Sequence, residues 1–154
     1  MSDDRIPVEN DPMRRDTAAT DWTRGPGPDA VFARFLAAGE FRIQRCEACG
    51  GHVFYPRLAC GHCGSVALRW VCPSGRGVVY AVSIVHRRAD KGGPYNVVLV
   101  DLEEGPRMMS RVEGQPHDCV HIGLRVKARV GAGEGGEPCV VFDADGGAQA
   151  KAAP

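Results

Sequence analysis

The stretch CEACGGHVFYPRLACGHCG, residues 46–64, holds two Cys-x-x-Cys pairs, each followed by glycine, with ten residues between them. Two residues between cysteines let a tight turn aim both sulfurs at one ion. Four thiolates form one of the closed tetrahedral sites of structural zinc. Gly50 and Gly64 stand where such a turn enters the left-handed backbone region, which glycine adopts without steric cost. The spacing predicts a zinc ribbon held by Cys46, Cys49, Cys60 and Cys63, with one Zn2+ per chain. Iron in a four-thiolate site uses the same residues and stays open. A redox dithiol fits less well, because that motif comes singly and near a βαβ pattern. His52 and His62 lie close by as bystanders to four thiols. A site closed by four thiolates leaves no position for water or substrate, so the cysteines read as scaffolding rather than chemistry. Structural zinc contributes roughly 10–16 kcal/mol in small peptides, and a ribbon of this size has almost no core of its own.

The surroundings agree with a metal in a reducing compartment. The chain starts MSDDRIPVENDPMRRD, with no apolar h-region, and no apolar run approaches a membrane span. A cytoplasmic location is expected, where paired cysteines hold metal more often than they form disulfides. The remaining cysteines, Cys72, Cys119 and Cys139, lack partners at ligand spacing and read as small buried residues. Lys+Arg and Asp+Glu are equal at 19 each, so the chain has no electrostatic bias toward a polyanion.

Before the cysteines, residues 1–28 are rich in Pro, Gly, Asp and Arg and read as a flexible arm with Trp22 as its one anchor. DAVFARFLAAGEF follows. Val31, Phe32, Phe35 and Leu36 share a helical face, Asp29 is the expected cap, and Gly39 the expected stop. The helix either packs on its own domain or docks another subunit. The helix and ribbon are assigned residues 29–73.

After the ribbon the pattern turns to strands. Runs at 77–87, 95–103, 107–112, 123–131 and 139–144 are separated by Gly-rich turns, with one longer connection at 113–121. The fourth alternates cleanly, with Leu124, Val126, Ala128 and Val130 facing one way and Arg125, Lys127 and Arg129 the other. The fold class is mainly β, and five strands over 74–145 predict an OB-type barrel, with an SH3-like barrel matching the same count. Residues 146–154 read as a disordered tail.

No nucleophile-and-base motif, P-loop or dinucleotide fingerprint is present. At the end of the first barrel strand, His86, Arg87 and Arg88 form a polar cluster. Strict alternation puts His86 on the face of Tyr80, Val82 and Ile84, and Arg87 on that of Ser83 and Val85. Such a rim either binds phosphates or is a solvated strand end.

FLAAGEFRIQRCEACGGHVFYPRLACGHCGS, followed by SGRGVVYAVSIVHR, resembles the zinc-ribbon/OB-fold family of acyl-CoA-associated accessory proteins. The shared features are the QRC lead-in, the YPR approach to the second knuckle and the SGRG entry to the barrel. PYNVVLVDLEEGPRMMSRV and IGLRVKARV resemble later strands of that family, and the likeness runs from about Phe32 to Phe142. It implies a non-catalytic subunit beside a thiolase-like enzyme, a hydroxymethylglutaryl-CoA synthase-type enzyme, an aldolase or an enoyl-CoA hydratase, in lipid or steroid side-chain metabolism. It also implies CoA or acyl-CoA as ligand. Arg57, Tyr80, Ser83, His86 and Arg87 are the candidate CoA-binding residues, cations toward the phosphates and the barrel's apolar faces toward the pantetheine. The alternative is a single-stranded nucleic-acid-binding module. Against it, residues 74–145 hold 9 Lys/Arg and 10 Asp/Glu, with only Tyr80, Tyr95 and Phe142 as aromatics.

Overall fold

The computed structural model describes residues 25–146; the expected arm before Gly25, with Trp22, and the tail after Gly146 lie outside the described residues. Helix α1 spans Pro28–Ala37. Its cap is Gly27 rather than the expected Asp29. Pro28 opens the helix because its missing N–H costs nothing in the first turn. Asp29 instead sits in that turn, where a carboxylate suits the positive end of the helix. Gly39 closes it with φ of 78°, as the sequence predicts.

The apolar face of α1 is consumed inside the chain. Val31 and Leu36 are buried, and the rings of Phe32 and Phe35 lie 6.2 and 5.4 Å from that of Trp70. Of the two readings of this helix, packing on its own chain is the one observed.

The ribbon is a small antiparallel sheet in the order β2-β1-β3, with β1 at Ile43–Cys46, β2 at His52–Val53 and β3 at Leu68–Val71. It shares a core with the barrel. Leu36 and Ile43 belong to the same buried cluster as Val79, Val98, Val100, Val126 and Phe142.

The barrel strands are β4 (Arg76–Val85), β5 (Tyr95–Leu102), β6 (Arg107–Ser110), β7 (Val112–Glu113), β8 (Arg125–Ala132) and β9 (Pro138–Ala144). Their order is β6-β5-β4-β8-β9-β7. The third expected run, 107–112, is therefore two strands. β6 pairs antiparallel with β5; after Arg111 the chain changes partner and β7 pairs parallel with β9. That parallel step brings the two ends of the sheet together and gives the OB connectivity rather than an SH3-like one. The alternation expected along β8 holds: Val126 is buried while Arg125, Lys127 and Arg129 are exposed.

Strict alternation fails in β4. The register slips between Val79 and Ala81, so Tyr80 is an extra residue. Val79 and Val82 both meet the core, and Tyr80 stays outside. Tyr80 thus does not share a face with Val82, contrary to the period-two reading.

Cys72 is exposed and Cys119 and Cys139 are half-buried, not core residues as expected. Each lies at the edge of an element, just after β3, in the turn His117–Cys119 and at the start of β9, where the chain runs along the surface. Among the described residues, no helix is long and apolar enough to cross a membrane.

Candidate functional site

Both knuckles close in the same way. The Gly50 N–H donates to the Cys46 carbonyl and the Gly64 N–H to the Cys60 carbonyl, each at 2.9 Å. Gly50 and Gly64 have φ of 73° and 76°, the conformation expected of them. The turns bring all four Sγ atoms within 4.8 Å of one another. Cys46 and Cys63 are 3.6 Å apart, and Cys49 and Cys60 3.7 Å. Tetrahedral zinc with Zn–S bonds near ~2.3 Å needs edges of about 3.8 Å, whereas a disulfide needs about 2.05 Å. The spacing fits a four-thiolate metal site.

Electrostatics point the same way. Backbone N–H groups of Cys49 and then Ala48 outweigh burial and pull the Cys46 thiol down to about 6. The Ser65 N–H works to lower Cys63, but the neighbouring sulfurs, Cys46 foremost, and burial push it up to about 11. One thiolate is stabilised by backbone dipoles; a full set of four needs a cation. His52 and His62 stand outside the cluster. The His62 backbone N–H donates to Cys60 Sγ at 3.4 Å, and its ring lies against Gly51.

The loop before the second knuckle is pinned by Gln44, a fully buried residue of β1. Its carboxamide accepts from the Arg57 N–H at 2.7 Å and donates to the Arg57 carbonyl at 2.9 Å. This explains why QRC and YPR occur together: one amide satisfies the loop's backbone.

The five expected CoA-binding residues come from two parts of the chain. Tyr80 and Ser83 are both exposed residues of β4. His86 and Arg87 lie beyond its end, and Arg57 is on the ribbon. Arg87 is already engaged: it pairs with Glu134 at 2.8 Å and lies 4.4 Å from the centre of the Tyr95 ring. That contact ties the loop after β4 to the turn between β8 and β9.

Sequence reading missed Arg107. Its guanidinium carbon lies 3.3 Å from the centre of the Tyr80 ring. The same group holds Asp101 through two hydrogen bonds of 2.5 and 3.0 Å. Hydrogen bonding from Arg107 keeps the Asp101 carboxyl below its ordinary range, against the effect of burial. The signal available was positional: Asp101 and Arg107 flank the Glu104-Gly105-Pro106 turn and face each other across the hairpin. A shallow groove of about 280 Å³ opens beside them, lined by Arg76, Val78, Asp101 and Arg125 and by none of the four thiols.

Two family descriptions match consecutive parts of the chain: the ChsH2 rubredoxin-like zinc ribbon domain over residues 35–69, and the ChsH2 C-terminal OB-fold domain over residues 70–131. A probable enoyl-CoA hydratase alpha subunit of Thermomonospora curvata is 38% identical over 96 residues, 60% of this chain and 30% of that protein. A DUF35 domain-containing scaffold protein of Methanocaldococcus jannaschii is 36% identical over 89 residues, 54% of this chain and 62% of that one. The 3-oxo-4,17-pregnadiene-20-carboxyl-CoA hydratase alpha subunit of Mycobacterium tuberculosis is 34% identical over 128 residues, 80% of this chain and 38% of that protein. The chain thus spans about a third of the length of the two hydratase subunits. Among solved structures, a chain of the Ltp2-ChsH2(DUF35) aldolase superposes with a TM-score of 0.68 at 28% identity, over 79% of this chain and 97% of that one. A DUF35 protein of unknown function from Sulfolobus solfataricus shares the fold, with a TM-score of 0.54 at 19% identity over 75% of this chain and 83% of that one.

Proposed function

Since this chain belongs to the ChsH2 zinc-ribbon/OB-fold family, we propose that it is an accessory subunit of an acyl-CoA-processing enzyme, supporting a catalytic subunit of the aldolase, hydratase or thiolase-like kind. The observation that carries this reading is the likeness to a chain of the Ltp2-ChsH2(DUF35) aldolase, which this chain covers over 97% of its length. The hydratase relatives support the same class of partner, and the name of the mycobacterial one points to a steroid acyl-CoA.

In this reading the chain is organised as a helix and ribbon over 29–73 and a barrel over 74–145. Cys46, Cys49, Cys60 and Cys63 hold one structural zinc that stiffens the ribbon against the barrel. CoA or acyl-CoA lies between ribbon and barrel. Arg57, His86 and Arg87 meet its phosphates, and Tyr80 and Ser83 border the pantetheine. Arg87 must exchange its Glu134 partner for a phosphate, a low barrier for an exposed pair.

The test is tagged purification from the native host, with mass spectrometry of the partners and metal analysis of the same sample. A hydratase, aldolase or thiolase-like subunit with about one zinc per chain supports the reading. Zinc with only nucleic acid sinks it in favour of the binding module, and iron with no partner points to electron transfer. Isothermal titration of the purified complex with CoA tests the ligand separately; no heat with CoA or an acyl-CoA removes that part.

A further inference from the structure

The apolar face of α1 is packed on its own chain and is not open to a catalytic subunit. Exposed large apolar residues gather on another surface. Val78, Tyr80, Met109 and Tyr55 are 42, 51, 59 and 50% exposed. The register connects them. Val78 stands opposite Asp101, which stands opposite Arg107. Ala81 stands opposite Leu99, which stands opposite Met109. Residues directly opposite share a face, so these rows form the outer side of β4, β5 and β6. Tyr55 extends it from the ribbon, accepting a hydrogen bond from the Met109 N–H at 3.3 Å. Tyr80 continues the exposed row of Val78, and the bulge after it keeps Ala81 on the same side, where strict alternation would have turned Ala81 inward.

The charges within this face are compensated. Arg107 is bound twice by Asp101 and stacked on Tyr80, so the pair contributes no net charge. A polyanion needs uncompensated cations. Tyrosine, methionine and stacked arginine are instead the residue types enriched where proteins meet proteins. We infer that the outer face of β4, β5 and β6, extended by Tyr55, is the docking surface for the catalytic subunit. The inference rests on the accessory-subunit reading. Tyr80 belongs both to this face and to the proposed CoA contacts, which puts the thioester ligand along the seam between subunits.

The experiment compares the wild-type chain with Met109→Glu, Val78→Glu and, as a control on the ribbon away from this face, Val66→Glu. Each is co-expressed with the hydratase or aldolase subunit identified by purification, and affinity is measured after checking zinc content and unfolding midpoint. Wild type and Val66→Glu are expected to bind alike, and each face variant to bind at least tenfold more weakly with fold and zinc unchanged. If the Glu variants lose zinc, Met109→Ala replaces them, with a severalfold loss expected. Face variants that bind within twofold of wild type overturn the docking surface and leave the accessory reading standing. A wild-type chain that binds no such subunit overturns both. A dimer of this chain that Met109→Glu abolishes assigns the face to a second copy and overturns the inference.

Discussion

Asn96 and Val112 bind each other twice: the Asn96 Nδ2 donates to the Val112 carbonyl and the Val112 N–H donates to Asn96 Oδ1, both at 2.8 Å. The carboxamide is buried and stands in for a strand where the third barrel run leaves β5 and joins β9. Gln44 treats Arg57 in the same way. In both places a backbone that leaves its ladder has its polar groups satisfied by one buried amide.

Removing that amide is costly. Asn96→Ala leaves the Val112 N–H and carbonyl without partners in the interior, and destabilisation by about 2–4 kcal/mol is expected. Asn96→Asp keeps the acceptor for the Val112 N–H but turns an anion toward the Val112 carbonyl, so it should be no better than Ala at neutral pH. Urea unfolding of the three proteins checks this; an Ala variant within about 0.5 kcal/mol of wild type, the range of ordinary surface changes, refutes the amide's role.

The SGRG entry to the barrel contains two glycines with different work. Gly75 has φ of 76°, so Gly75→Ala costs about 1–2 kcal/mol in backbone strain. At Gly77 a Cβ would lie 2.6 Å from Val100 Cγ1 and 2.7 Å from the Asp101 carbonyl oxygen. Gly77→Ala must push β4 from β5, and a larger loss of thermal stability than for Gly75→Ala is expected. Equal melting temperatures for the two variants count against this ordering.

Loss of metal should act through folding. Cys46→Ser, or chelation of the wild-type chain, is expected to melt the ribbon. Trp70 of β3 then leaves the rings of Phe32 and Phe35 and its fluorescence shifts to the red. A Trp22→Phe background isolates this signal. A Cys46→Ser protein with native emission and one bound zinc contradicts the four-thiolate site.

Glu113 links the barrel's closure to pH. It binds Arg111 through the Arg111 Nε at 2.7 Å and Arg129 through an Nη at 2.5 Å. Burial pushes its carboxyl up, but these hydrogen bonds and charges outweigh it and hold the group below its ordinary range. A depressed folded value means stability is present above the unfolded carboxylate pKa, near ~4.3, and is lost as pH falls through the folded value. The advantage of wild type over Glu113→Gln is expected to be about 1 kcal/mol or less at pH 7, as for partly exposed pairs, and to vanish in strong acid. Thermal melts of both from pH 7 to pH 2 check it; an advantage that grows on acidification has the wrong sign.

The sequence by itself determined the ribbon, the helix and a mainly β barrel, whose OB rather than SH3-like connectivity came from the parallel pairing of β7 with β9. The sequence signals are local: cysteine spacing, the glycines after each knuckle, the apolar face of 31–36 and the alternation along 124–130. Each depends only on residues a few positions apart. What the tertiary structure decided is everything that depends on a partner distant in sequence. Arg111 divides one apparent strand into two because β9, some thirty residues on, is the better partner for Val112 and Glu113. Val82 meets the core, on the face opposite Tyr80, because the pairing of β4 with β5 skips one residue, a slip that the alternation expected along β4 does not reveal. Arg107 reaches Tyr80 and Asp101 only once three strands lie side by side. Local periodicity sets which face of an element is apolar; register, fixed by packing across the sheet, sets which residues meet.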